Sequence, residues 1–138
     1  MDVESRRPLI NFRLDPRTGL APYRQLVDQV RRAVNLGLLR PGDRMPSVRE
    51  VVTQITINPN TVHRAYRDLE HEGVVEGRAG LGTFVTASAS SWVTTEDRNV
   101  LLEELRGWVG RARQAGLDDE GIAALVAVAV FPEDIVAR

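Results

Sequence analysis

Residues 57–73, INPNTVHRAYRDLEHEG, decide how the rest of the chain is read. Val62, Ala65, Tyr66 and Leu69 recur at three- and four-residue spacing, the pattern of one buried helix face, and Gly73 ends the run. In front of that face stand Asn58, Pro59, Asn60 and Thr61. Asn58 is a favourable N-cap, and Pro59 suits the first helical position, where its missing N–H would have had no helical partner. A cap needs only one residue. Asn60 and Thr61 are surplus, and both are indifferent helix formers. On a helical wheel Asn60, His63, Arg64 and Arg67 project away from the apolar stripe. Capping explains Asn58 and Pro59, whereas the remainder suits a helix mouth that reads nucleic acid. Asparagine matches adenine edges, arginine matches guanine, and helix-mouth amides match phosphate. Arg67 lies further along and either meets the DNA backbone or pairs with an acid.

The flanks strengthen that reading. Ser47 and Glu50 stand three residues apart and form a capping-box pattern, opening a short helix that ends near Gln54. Two helices a few residues apart, the second longer, outline a helix-turn-helix. The first helix of such a pair crosses the DNA backbone. Ser47 and Arg49 in its opening turn are therefore candidate DNA contacts, Arg49 alternatively pairing with Glu50 or another nearby acid. Arg44 is expected in a local salt bridge. After Gly73, VVEGR and TFVT read as strands 74–78 and 82–86 around a Gly-rich tip, a hairpin that makes the motif winged. Upstream, LINFRL (residues 9–14) alternates in part and reads as a short strand. From Pro22 a helix carries Tyr23, Leu26, Val27, Val30 and Val34 on one stripe, and Gly37 is its exit.

Residues 87–93, ASASSWV, form a small-residue linker. Beyond it, a helix capped by Thr94 or Thr95 carries Leu101, Leu105, Trp108 and Ala112, with Leu102 and Val109 beside them. Asp118 caps a last helix, ended by Pro132, in which Ile122, Leu125, Val126 and Ala129 align. Val128 and Val130 widen that apolar surface, so the last helix is expected to be well buried. Two such helices cannot cover their own stripes; they need the first domain or a second copy of the chain. The expected organisation is a winged helix-turn-helix over residues 9–86, a linker over 87–93, and a helical dimerisation region over 94–138.

Bulk composition narrows the function classes. The chain has 138 residues, 43% hydrophobic and 27% charged, which fits a packed core. It has no cysteine, and His63 and His71 are its two histidines, so neither a thiol nucleophile nor a His- or Cys-rich metal site is expected. No apolar run approaches the roughly 20 residues that span a bilayer, and no signal-peptide pattern opens the chain, so a cytoplasmic protein is expected. Residues 1–87 hold 13 arginines against 10 acids (+3), and residues 88–138 hold 5 against 9 (−4). That asymmetry suits a DNA-facing half and an acidic half that does not bind DNA alone. All 18 basic residues are arginine, which forks onto phosphate and guanine, although genome composition explains the bias equally. The tip GRAGLG spaces Gly77, Gly80 and Gly82 closely, but lacks the strand-then-helix setting and Lys-Ser/Thr of a nucleotide loop. A small nucleotide-binding enzyme is thus the weak rival. No cofactor is expected.

The segments PYRQLVDQVRRAV, LRPGDRMPSVREVV and INPNTVHRAYRDLEHEGVVEGRAGLGTFV resemble, in order and spacing, the winged helix-turn-helix of GntR-type bacterial transcription regulators. FRLDPRTGLAPYRQL and NPNTVHRAYRDLE resemble the YtrA subfamily, whose short two-helix C-terminal region serves dimerisation. The resemblance implies a homodimeric, sequence-specific repressor on a roughly palindromic operator. It also implies DNA contacts from Arg49, Asn58, Asn60, Thr61, His63, Arg64 and the wing-tip Gly80. Two departures stand out. Thr56 occupies a turn position where the family often has glycine; a left-handed backbone there would cost on the order of 1–2 kcal/mol, unless the turn is reshaped. Leu81 stands at the wing tip where a basic residue is common, leaving minor-groove contact to Arg78 and backbone amides. An alternative role for the C-terminal helices and the linker is a small-molecule effector pocket around Trp92 and Trp108.

Overall fold

The structure is a computed structural model in which residues 10–131 are described. It is mainly helical, with one antiparallel hairpin, and divides at Thr95/Glu96 into two compact units. Pro132, the expected end of the last helix, lies outside the described residues.

In the first unit, α1 (Pro22–Asn35), α2 (Val48–Gln54) and α3 (Pro59–His71) enclose the core. Leu26, Val30, Val51, Val62, Ala65 and Leu69 are each fully shielded from solvent. Their spacing produces this: each helix turns one stripe inward, and the stripes meet. A bidentate pair from Arg31 on α1 to Glu72 at the end of α3, with Arg31 Nε 2.7 Å from Glu72 Oε1, ties the outer ends of these two helices. The hairpin of β1 (Val75–Arg78) and β2 (Gly82–Val85) follows, pairing Val75 with Val85 and Arg78 with Gly82. Val75 and Val85 point into the core and anchor the wing.

The segment read as a loop before α2 is part of that wing. Arg44 bridges to Phe84, Met45 N–H donates to Thr83 O at 2.8 Å, and Val85 N–H donates to Asp43 O at 2.9 Å. Residues 42–45 thus line the free edge of β2.

The strand expected at residues 9–14 does not form over the described part, residues 10–14. The alternation is real: Ile10 and Phe12 are buried, while Asn11 and Arg13 are exposed. What is missing is a neighbouring strand. The backbone of Arg13 is satisfied by the Gln29 side chain (N–H to Oε1 3.0 Å, Nε2 to O 2.6 Å), and that of Asp15 by Gln25 (2.8 and 3.0 Å). Two strand residues advance about 6.6 Å and four helix residues about 6.0 Å. Glutamines four apart on α1 can therefore serve backbone groups two apart on an extended chain.

In the second unit, α4 (Thr95–Gln114) and α5 (Asp119–Val130) are joined through Gly116, and the Asp118 side chain caps α5 by accepting from Gly121 N–H at 2.8 Å. Among the described residues, Ala112 and Ile122 are its buried apolar residues. The expectation that α5 is well buried fails in the single chain. Leu125, Val126, Val128 and Val130 remain 36–58% exposed, because apolar residues run around more of the helix than one neighbour can cover. Leu105 and Trp108 of α4, with Leu125, Val126, Val128 and Ala129 of α5, instead line an apolar groove of about 400 Å³.

Candidate nucleic-acid interface

The mouth of α3 is capped by one residue. Asn58 Oδ1 accepts from Asn60 N–H at 2.8 Å, and Asn58 O accepts from Thr61 N–H at 2.9 Å. The side chains of Asn60, His63 and Arg67 are exposed and make no hydrogen bond or ion pair among the described residues. Thr61 is half-buried at the same mouth. The acids of α3 lie towards its other end, at Asp68 and Glu70, with Glu72 just beyond, already paired to Arg31. The free side chains of Asn60 and His63 therefore stand in the half of the helix where its dipole is positive, with Arg64 and Arg67 midway along it.

The approach of the chain to this mouth needs no left-handed threonine. Every described residue with positive φ is a glycine. Ile55, closing α2, is extended at φ −139° and ψ 156°, and Thr56 avoids the left-handed region altogether. The turn is reshaped rather than strained.

The opening of α2 is held against α3 from two sides. Tyr66 on α3 donates its hydroxyl to Pro46 O at 2.5 Å, and burial pushes that phenol well above its ordinary pKa. The capping box forms as expected, with Glu50 N–H donating to Ser47 Oγ at 3.1 Å and Ser47 N–H donating to Glu50 Oε1 at 2.9 Å. Arg44 grips the same carboxylate at 2.8 and 3.3 Å. Together, the Arg44 guanidinium and then the Ser47 amide hold the Glu50 pKa down at about 2. This decides the Arg49 alternative. Glu50 is occupied by Arg44, and Arg49 is exposed with no ion pair among the described residues. Ser47 accepts through its Oγ, which leaves its hydroxyl proton available to an outside acceptor.

On the wing, Gly80 takes φ 74° at the tip, and Leu81 N–H closes the turn onto Arg78 O at 2.9 Å. Leu81 is 70% exposed. Arg78 is partly engaged: its guanidinium lies 4.4 Å over the Phe84 ring and pairs with Glu76 at 3.1 Å.

The fold brings Asn58, Asn60, Thr61, Arg64 and Arg67 around one shallow depression whose far wall is the start of α1. Ser47, the N-cap of α2, Arg49 in its first turn, and Arg78 and Gly80 on the wing lie outside it. One residue of that wall was missed by sequence reasoning. Tyr23 packs against the core, as its place on the α1 stripe predicts, but it is only half-buried and carries the Arg64 guanidinium 3.7 Å over its ring. Its position in the first turn, at the end of the stripe, was the available signal, since tyrosine often ends a stripe with one face wet. No helix among the described residues is long and apolar enough to cross a membrane.

Comparison with known proteins agrees with this geometry. Residues 22–85 match the family described as bacterial regulatory proteins, gntR family. The chain is 36% identical over 109 residues to the HTH-type transcriptional repressor YtrA of Bacillus subtilis, covering 79% of this chain and 84% of that one. Its fold resembles the crystal structure of a transcriptional antiterminator from Listeria monocytogenes (TM-score 0.54, 27% identity, 92% of this chain and 93% of that one). It also resembles YtrA from Sulfolobus acidocaldarius, a GntR-family transcription factor (TM-score 0.52, 24% identity, 72% of this chain and 99% of that one). The chain belongs to the GntR family of bacterial regulatory proteins and is a winged helix-turn-helix DNA-binding transcriptional regulator rather than an enzyme.

Proposed function

We propose that this regulator is a cytoplasmic repressor that binds a roughly palindromic operator as a homodimer. The observation that carries the reading is the α3 mouth, where Asn58 alone satisfies the cap and Asn60, Thr61, His63, Arg64 and Arg67 remain for DNA. In this arrangement α3 enters the major groove, Ser47 and Arg49 meet the flanking backbone, and Arg78 and Gly80 approach the minor groove. The uncovered faces of α4 and α5 support the dimer. Leu101, Leu102, Leu105, Trp108, Val109, Leu125, Val126 and Ala129 offer an apolar surface that a second copy would cover, while Ile122 packs inside its own unit. A two-fold dimer fixes the half-site spacing and mirrors itself in the operator.

Arg49→Ala and Asn60→Ala should each weaken operator binding by about 1–3 kcal/mol, the worth of a good side-chain contact, and leave the dimer intact. A gel-shift titration at moderate salt, paired with sedimentation, measures both. Operator affinity unchanged in both variants would remove these residues from the interface.

A second reading is favoured by the groove at Trp108, whose volume falls within the range of small-ligand pockets. A small apolar effector held there would compete with or reshape the dimer and release DNA. Its mark would be a tryptophan fluorescence change that tracks loss of operator binding across a metabolite panel.

A further inference from the structure

We infer that Tyr23 is a positioning residue for DNA binding: its ring holds the Arg64 guanidinium sideways, towards a phosphate of the DNA backbone. The inference rests on α3 lying against DNA and adds a residue and a contact class to that reading.

The geometry is specific. The Arg64 guanidinium carbon lies 3.7 Å from the Tyr23 ring centroid, within the range of cation–π attraction. Arg64 makes no ion pair among the described residues, so the ring is the partner that fixes it. Stacking occupies one face of the guanidinium and leaves its N–H edge free, and that edge makes forked contacts to phosphate oxygens. A free arginine on an exposed helix samples many rotamers and loses that freedom on binding. One already laid on a ring has lost part of it beforehand.

The direction of the side chain selects phosphate over base. A base contact requires an arginine that extends outward from the recognition helix to the groove floor. Arg64 is instead drawn laterally across to the first turn of α1. There it lines a depression of about 480 Å³ with Tyr23, Asn58, Asn60, Thr61 and Arg67. Among the described residues, two guanidiniums and no carboxylate line that depression. With α3 in the major groove, a feature beside the helix rather than beneath it meets the groove wall, which is sugar and phosphate.

The test is a binding titration of the full chain against an operator duplex chosen by in vitro selection, and against an unrelated duplex, over a range of salt. The variants are Tyr23→Leu, Tyr23→Phe, Arg64→Ala, and Tyr23→Leu combined with Arg64→Ala. Thermal melting of each variant confirms that it is folded. Tyr23→Leu should weaken binding to both duplexes by roughly five- to tenfold. Tyr23→Phe, which keeps the ring, should stay within about twofold of the parent. Arg64→Ala should lower the slope of log affinity against log salt by about 1, the signature of one lost phosphate contact. In the Arg64→Ala background, Tyr23→Leu should add nothing. The inference is overturned if Tyr23→Leu binds like the parent, if its loss persists undiminished without Arg64, or if Arg64→Ala leaves the salt slope unchanged. Failure of the parent itself to bind any selected duplex would sink the DNA reading instead.

Discussion

The two units of this chain solve the burial problem differently. The first closes on itself: α1, α2, α3 and the anchored hairpin give a core in which Leu26, Val51, Val62 and Leu69 see no solvent. The second does not. Leu101 and Leu105 of α4 are 61% and 50% exposed, and Leu125 of α5 is 46% exposed. A patch of this kind is the surface that the proposed dimer would cover. Apolar residues that look alike in sequence thus fall into two groups, those that close a core and those left exposed for the proposed dimer to cover.

Replacing Leu105 and Leu125 together by aspartate should break the comparison if it is mistaken. Carrying charges into the proposed dimer interface should weaken self-association by about 100-fold or more, measured by sedimentation at several concentrations. The melting of the reading unit should hardly move. Collapse of the reading unit in that variant would mean that the two units are not independent. The converse change, Leu69→Ala, removes a residue with no exposure and should cost about 2–5 kcal/mol of stability in chemical denaturation. It should leave the C-terminal association surface chemically unchanged.

A smaller effect sharpens the picture of the reading unit. Glu50 is held at a pKa of about 2 against an ordinary 4.5 by Arg44 and the Ser47 amide. A depressed carboxylate stabilises the fold above its unfolded pKa. That contribution falls away as pH drops from about 4.5 towards about 2. Glu50→Gln should therefore flatten the acid limb of the stability curve and lower stability at neutral pH. Because Glu50 is partly exposed, the loss should be modest. A parent and variant with identical acid limbs would show that the Arg44–Glu50 pair does not hold α2.

Much of this was legible beforehand because it is local. The stripe Val62, Ala65, Tyr66 and Leu69, the Ser47/Glu50 box and the Asn58–Pro59 start are written in neighbouring residues, and the structure forms each of them. What escaped depends on partners distant in sequence. The alternation of residues 10–14 was visible, but that the backbones of Arg13 and Asp15 would be served by Gln29 and Gln25 was not. Nor could PGDRM be read as the outer edge of the wing, since its partner β2 lies about forty residues on. Thr56 showed as a departure from the glycine of similar turns, and only the backbone angles show the turn reshaped around it. Val128 and Val130 were read as signs of burial when they signalled incomplete burial. Tyr23 belonged to the same stripe as Leu26 by spacing, and its distinct role emerges only with Arg64 beside it.

The central claim is that α3 reads DNA sequence and that two copies read together. Selection of binding sites from random duplex DNA by the full chain tests both at once. Enrichment of one motif repeated as an inverted pair at fixed spacing, about one helical turn or a multiple of it between half-site centres, is the expected result. Recovery of no enriched sequence, or of a single unpaired half-site, would contradict it.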